Sequence, residues 1–245
     1  MGIGSNIRSG SFLVYGGTRG VGLLISEQLF NRGFAVTIAG RSSPTPTNHS
    51  LNSVQLDFSI TTGFAKNRDF LQQNEAINKF IFNLGGSFGV HEDSPKIDDF
   101  QVLSNLNIGY IIDTVNFLES TGRLHGSLLV FMLSNVISTG GGNLPYRILK
   151  VALDDYARSL EASHGESFLT VLRFYPPLIL YPNRFMAKRF LAIESDNQRR
   201  RFIDDELAGF APVHPEALAN DIVSAIIKKF DMNNSNECLE KRVAG

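Results

Sequence analysis

Cysteine is nearly absent from this sequence: Cys238 is the only one in 245 residues, which excludes a disulfide within the chain and argues against a cysteine-based metal site. Such a chain suits a reducing compartment. No uninterrupted apolar run approaches the about 20 residues that a membrane span requires. The opening MGIGSNIRSG has no apolar core of the kind a signal peptide carries, so a cytoplasmic protein without a membrane partner is the expectation. Charge is scarce and balanced, at 19% of residues with a net of -1, which leaves no excess to hold nucleic acid. A Pro/Gly/Ser-rich linker and a break in composition are also missing, so residues 1–245 read as one domain. What is present is a 43% hydrophobic composition with 19 Phe, enough for one large, densely packed core.

The apolar runs are short and alternate in type. FLVY (Phe12 to Tyr15) is β-rich and ends in Gly16-Gly17, which reads as a buried strand entering a tight turn. Val21 to Phe30 repeats apolar residues at helical spacing, and Gly33 stands where a C-cap ends a helix. FAVTIAG (Phe34 to Gly40) is the next strand, and further strands are expected at Val54 to Asp57, Lys79 to Asn83, Leu128 to Leu133 and Phe168 to Phe174. Helices are expected at Pro145 to Ser163 and Pro215 to Phe230. Strands alternating with helices imply a doubly wound parallel sheet, a Rossmann-like α/β domain. From Pro176 to about Pro212 the pattern breaks down, as expected where a substrate lid of about residues 178–212 lies. NECLEKRVAG at the end reads as a short strand or a tail.

The turn after the first strand, Gly16-Gly17-Thr18-Arg19-Gly20-Val21-Gly22, has the form G-x-x-x-G-x-G between a strand and a helix. Glycines there let backbone amides approach a pyrophosphate, and the helix N-terminus behind them favours its charge. The second strand ends AGRS, with Arg41 and no acid to accept from a ribose 2′-hydroxyl. Arg19 lies in the turn itself, and guanidinium forks match phosphate oxygens, so NADP(H) is preferred to NAD.

Together with Tyr146 and Lys150, four residues apart at a helix start, these features resemble the short-chain dehydrogenase/reductase family from about Phe12 to Phe230. Gly16, Gly20 and Gly22 match the family's three turn glycines, while Tyr15 replaces its Thr. Asp57 in LDFS matches an Asp that lies against the adenine, and Asn83-Leu84-Gly85-Gly86 is an altered form of its N-N-A-G segment. The resemblance implies a cofactor site built from Gly16, Thr18, Arg19, Gly20, Val21, Gly22, Arg41, Asp57, Asn83, Gly85, Tyr146, Lys150 and Pro176. It implies a catalytic set of Asn107, Ser134, Tyr146 and Lys150, with Asn105 and Ser138 as alternatives to the first two. It also implies a homodimer or homotetramer packed through the helices around Ile108 to Leu118 and Tyr146 to Leu160.

Carbonyl reduction needs a hydride and a proton for the developing alkoxide. A phenol of ordinary pKa about 10 is a sluggish base near neutrality, and a cation held beside it favours the phenolate. Residues i and i+4 share a helix face, so Lys150 can stand near Tyr146, and a Ser134 hydroxyl can bond the substrate oxygen. In the family the Lys also holds the nicotinamide ribose and the Asn a water of the proton relay. Departures from the family are Tyr175-Pro176-Pro177, where Pro-Gly is usual and the following backbone binds the nicotinamide amide, the absence of the nearby Thr, and Arg147-Ile148-Leu149 in place of small residues. Six basic residues (Arg184, Lys188, Arg189, Arg199, Arg200, Arg201) face two acids (Glu194, Asp196) in the lid region, consistent with an anionic substrate or with a solvated helix face. The expected function is an NADP(H)-dependent interconversion of a carbonyl and an alcohol. The alternatives are a non-catalytic NADP(H)-binding sensor or interaction protein on the same fold, and a nucleotide-sugar epimerase or dehydratase, for which the chain is short.

Overall fold

In a computed structural model the described residues are 10–42, 51–87, 96–139, 143–165, 168–182 and 185–243, with side chains described to residue 230 except that of Phe185. Arg184 and the glycines at 140–142 therefore lie outside the described residues. The chain runs β1 (Ser11–Tyr15), α1 (Gly20–Asn31), β2 (Ala35–Gly40), β3 (Asn52–Gln55), α2 (Thr62–Gln73) and β4 (Ile77–Phe82). It continues with α3 (Ile97–Ser104), a π-helical turn (Asn105–Gly109), α4 (Tyr110–Ser120), β5 (Leu128–Met132), α5 (Val136–Thr139), α6 (Leu144–His164) and β6 (Thr170–Phe174). The last elements are α7 (Phe185–Leu191), α8 (Asp196–Glu206) and α9 (Pro215–Val243).

The six strands form one sheet in the order β3-β2-β1-β4-β5-β6, every pair parallel. Side chains alternate across a strand, and a parallel sheet is covered on both faces, so β1 must be apolar throughout. Phe12 and Val14 pack with Val21, Ile25 and Leu29 of α1 and Ile222, Val223 and Ile226 of α9. Leu13 and Tyr15 face the other way, into a cluster with Tyr110, Ile111 and Val115 of α4 and Leu153 and Ala157 of α6. Strand order reverses between β1 and β4, and at such a switch point the crevice outside the strand C-termini takes ligands.

Three expectations are corrected. The third strand is Asn52–Gln55 rather than Val54 to Asp57, because pairing with β2 ends at Gly40↔Gln55 and the chain then turns at Asp57. The segment expected to be irregular contains α7 and α8, since no proline occurs between Pro182 and Pro212 and the break in pattern belongs to its edges. The final helix runs to Val243 instead of giving way to a strand or tail, there being no Pro or Gly between Phe230 and Ala244 to stop it. Among the described residues no helix is long and apolar enough to cross a membrane, and no cluster of His, Cys, Asp and Glu could hold a metal.

Candidate active site

The turn between β1 and α1 is shaped by its glycines. Gly16 and Gly20 hold φ of +74° and +60°, in the left-handed region where a Cβ is strained. Gly22 has no room for a side chain: a Cβ there would collide with the Gly16 carbonyl and lie 2.5 Å from Asn83 Nδ2. The turn is pinned from behind by Gly16 N–H to the Ala39 carbonyl (2.8 Å) and by Asn83 Nδ2 to the Gly16 carbonyl (3.3 Å). Asn83 therefore turns onto the glycine turn and braces it. Thr18 is buried against Gly40, at the end of β2, and Arg19 is the exposed N-cap of α1.

At the mouth of β2, Arg41 is exposed and its charge reaches Asp57. Partial burial pushes the Asp57 carboxyl up, but the hydroxyl and amide of Ser59, at 2.6 and 2.9 Å, and the Arg41 cation bring it below the ordinary carboxylate value. Asp57 thus stays ionised and fixed by its own turn, beside the cation expected to meet a 2′-phosphate.

The loop after β4 is fixed from the π-helical turn. A π-turn widens a helix locally and is frequent at functional sites. Here it carries Asn107, which is fully buried. Asn107 accepts from Gly86 N–H at 3.0 Å and donates to the carbonyls of Gly86 and Leu103, both at 2.9 Å. Asn105, in contrast, accepts from Gln101 Nε2 (3.3 Å) one turn back along the helix. Gly85 is where the groups converge: a Cβ there would lie 2.9 Å from Lys150 Nζ and 3.1 Å from Asn107 Oδ1.

α6 delivers the remaining groups. Asn143 caps it by accepting from Tyr146 N–H (3.1 Å), with Pro145 in the first turn. Ser134, just beyond β5, hydrogen-bonds the Tyr146 phenol and also accepts from Val136 N–H at 3.4 Å. Ser138 is exposed and donates to the Asn135 carbonyl (3.1 Å), away from that phenol. Lys150 is buried, its Nζ 2.8 Å from the Met132 carbonyl and 5.7 Å from the centroid of the Tyr146 ring. The expectation that the Lys cation lowers the tyrosine is not met by this geometry. Burial pushes the Tyr146 phenol up, partly offset by Ser134, and pushes Lys150 down to about 8. Desolvation penalises both charged forms, and the Lys150 ammonium is turned to a carbonyl, so Tyr146 keeps its proton.

No protein-family model matches the sequence, and no curated protein matches it. Solved structures do. A short-chain dehydrogenase family protein from Francisella tularensis superposes at a TM-score of 0.67 with 19% identity, over 88% of this chain and 90% of that one. 4-Hydroxyisoleucine dehydrogenase in complex with NADH gives 0.68 and 16%, over 89% of each chain. L-Sorbose reductase from Gluconobacter frateurii, in complex with NADPH and L-sorbose, gives 0.69 and 16%, over 89% of this chain and 90% of that one. The fold is that of the short-chain dehydrogenases/reductases.

Within this short-chain dehydrogenase/reductase fold, the strap after β6 departs most from expectation. Pro176 is buried and its carbonyl accepts from Asn135 N–H (3.1 Å), tying the strap to the Ser134 loop. Five residues on, Tyr181 reaches back to the glycine turn, its hydroxyl 2.6 Å from Val21 N. Sequence reasoning missed Tyr181, because 160 residues separate the pair and nothing local signals the contact. It also missed Tyr110, which donates to the Leu84 carbonyl (3.1 Å) and braces the same loop as Asn107; its place three residues further along the helix was the available signal. Tyr15, in place of the family's Thr, is buried and donates to Asn67 Oδ1 (2.8 Å) beside Thr114, joining β1 to α2 and α4. In the basic run, Arg189 pairs with Glu206 (2.9 Å) and Arg199 donates to the Ile193 carbonyl (2.8 Å), so these two support the segment itself.

Proposed function

We propose that the chain is an NADP(H)-dependent oxidoreductase that interconverts a carbonyl and an alcohol. The observation that supports this most is that Lys150 and Asn107 meet at Gly85 while Lys150 also faces Tyr146 and its partner Ser134, outside the C-termini of β4 and β5 and beside a glycine turn whose Cβ-free surface suits a pyrophosphate. The donor set fits the cofactor: Gly16, Gly20 and Gly22 leave backbone amides approachable, α1 points its N-terminus at the same place, and Arg19 and Arg41 are cations suited to a 2′-phosphate. NADP(H), when bound, supplies or accepts the hydride.

The protein's own part is orientation and proton transfer. Ser134 donates to the substrate oxygen while Tyr146, kept protonated by burial, gives its phenolic proton to the alkoxide as charge develops there. Lys150, held by the Met132 carbonyl, has its Nζ near both the Tyr146 ring and Gly85, and would be the group to hold the nicotinamide ribose. The remaining lone pair of Asn107 Oδ1 can accept from a relay water, both amide hydrogens being committed to carbonyls. The assembled Ser134-Tyr146 contact favours an enzyme over a non-catalytic sensor. Between β6 and α9, the segment of about 178–212 with α7 and α8 forms the substrate lid, and its exposed Arg200 and Arg201 suit an anionic substrate. Exposed Ile148 and Val151 on α6 suit burial in a homodimer or homotetramer, which multi-angle light scattering tests. The deciding experiment for the activity is NADPH oxidation over a panel of ketones and aldehydes, wild type against Y146F. Turnover in the wild type that is lost in Y146F supports the reading, and no turnover with any carbonyl, despite NADPH binding, favours the sensor.

A further inference from the structure

Tyr181 has no part in the chemistry outlined above, yet its side chain is aimed into the cofactor site. Its hydroxyl oxygen accepts from Val21 N–H at 2.6 Å, in the first turn of α1. The same oxygen presses on Gly20, where a Cβ would lie 2.6 Å from it, so the positive φ of Gly20 and its missing side chain accommodate a phenol as well as a turn. An amide in the first turn of a helix has no intrahelical acceptor and is one of the groups a phosphate oxygen would take. That acceptor position is filled from within the chain.

The backbone around Tyr181 is anchored. Leu180 N–H donates to the Val213 carbonyl and Val213 N–H to the Leu178 carbonyl, both at 2.9 Å, and Pro182 follows. The ring is half-buried against the cluster that includes Val21 and Ile25. Freeing the Val21 amide therefore requires the Tyr181 side chain to leave this position while the anchored backbone holds the strap.

We propose that Tyr181 is an internal cap on the phosphate turn, its phenol oxygen holding the place of a pyrophosphate oxygen until a dinucleotide displaces it. This rests on the dinucleotide reading of the site. A phosphate oxygen is a charged acceptor, and its hydrogen bond to an amide is roughly twice as strong as one to a neutral oxygen. The dipole of α1 adds to that preference. A dinucleotide thus wins the exchange, but its apparent affinity is reduced by the fraction of molecules in which the cap is closed.

The test is calorimetric titration of NADPH and NADH into the full chain, wild type against Y181F. Phe keeps the ring and removes the competing acceptor. The expected result is tighter binding in Y181F, by about three- to tenfold, the range that one hydrogen bond of ordinary net strength spans. The factor is the same for both dinucleotides, because the exchange occurs at the pyrophosphate and not at the 2′-position. Unchanged affinity in Y181F overturns the cap, and so does weaker binding, which would make the phenol a donor to the phosphate. If the wild type binds neither dinucleotide while Y181F binds one, the cap is supported in its strongest form. If neither protein binds either dinucleotide, the dinucleotide reading itself fails and the cap with it. Should Y181F unfold, the wild type carries the test: with isotope-labelled tyrosine and valine, saturating NADPH moves the Tyr181 ring signals and the Val21 amide signal together. A Tyr181 signal that stays put under saturating NADPH refutes the exchange.

Discussion

Asn107 clasps Gly86 from both sides, its Oδ1 accepting from the Gly86 amide and its Nδ2 donating to the Gly86 carbonyl. With Leu103 taking the other amide hydrogen, three of the four hydrogen-bonding positions of the carboxamide are spent on backbone. A group so committed shapes the loop beside Lys150 first, and has one lone pair to offer a water or a ligand. Its burial raises the stakes, since its removal would strand the buried Leu103 carbonyl and leave the half-buried Gly86 amide and carbonyl without their partners.

N107A should therefore destabilise the fold by about 1–3 kcal/mol, the cost of leaving buried backbone groups unpaired. Urea unfolding measures it. Hydrogen exchange at Gly86 should accelerate more than at residues of β1, which the clasp does not touch. A loss of turnover without either change would mean that Asn107 acts on the substrate and not through the loop.

Y146F should lower kcat by at least about a hundredfold, the usual worth of a positioned proton donor. NADPH affinity should stay within about twofold of wild type, because Phe preserves the ring that Lys150 faces. S134A makes a separate prediction about pH. In the proposed mechanism alcohol oxidation needs Tyr146 deprotonated; burial raises its pKa, and the Ser134 hydrogen bond brings it part-way down. Removing that bond raises the pKa further, so the ascending limb of the oxidation pH profile moves to higher pH in S134A. A limb that stays in place would show that another group sets it.

How far the sequence disclosed this site can be judged from its parts. The strand-turn-helix of Phe12 to Phe30 and the Tyr146-Lys150 helix were legible because each depends on local periodicity and on glycine, proline or a cap at fixed offsets. Spacing alone left Asn105 beside Asn107 and Ser138 beside Ser134 as candidates, and what distinguishes Asn107 and Ser134 in the structure, the π-turn and the Tyr146 contact, is tertiary in origin. A Lys four residues on from Tyr146 implies proximity, not where its ammonium points. Lys150 points to the Met132 carbonyl, a main-chain group that every residue type supplies and no motif encodes. Tyr181 was illegible for the same reason, since its partner is a backbone amide 160 residues away.

Arg41 gives a prediction about cofactor choice. It is exposed at the end of β2, near the ionised Asp57, with no acid of its own strand there to bond a ribose 2′-hydroxyl. R41A should weaken NADPH binding by about tenfold or more, as expected for losing a charge-assisted hydrogen bond to phosphate. NADH binding should be nearly unchanged or slightly improved. Equal losses for both dinucleotides, measured by titration, would place Arg41 outside the 2′-phosphate contact.

Two buried lysines link stability to pH. Lys79, at the start of β4 beside the Phe12 and Phe230 rings, and Lys150 are each pushed down to about 8 by burial, against about 10.4 in an unfolded chain. Between those values the unfolded state binds more protons than the folded one, so unfolding free energy increases as pH rises from about 8 towards 10. Buried tyrosines act in the opposite sense above that window. Tyr15 and Tyr110 have phenols raised by desolvation, so the unfolded state ionises first and stability falls once the pH exceeds about 10. Chemical denaturation between pH 7 and 11 should therefore trace a maximum near pH 9 to 10, and K79M should flatten its rising side. A stability that declines steadily from pH 8 would mean that Lys79 and Lys150 keep their protons in the folded state.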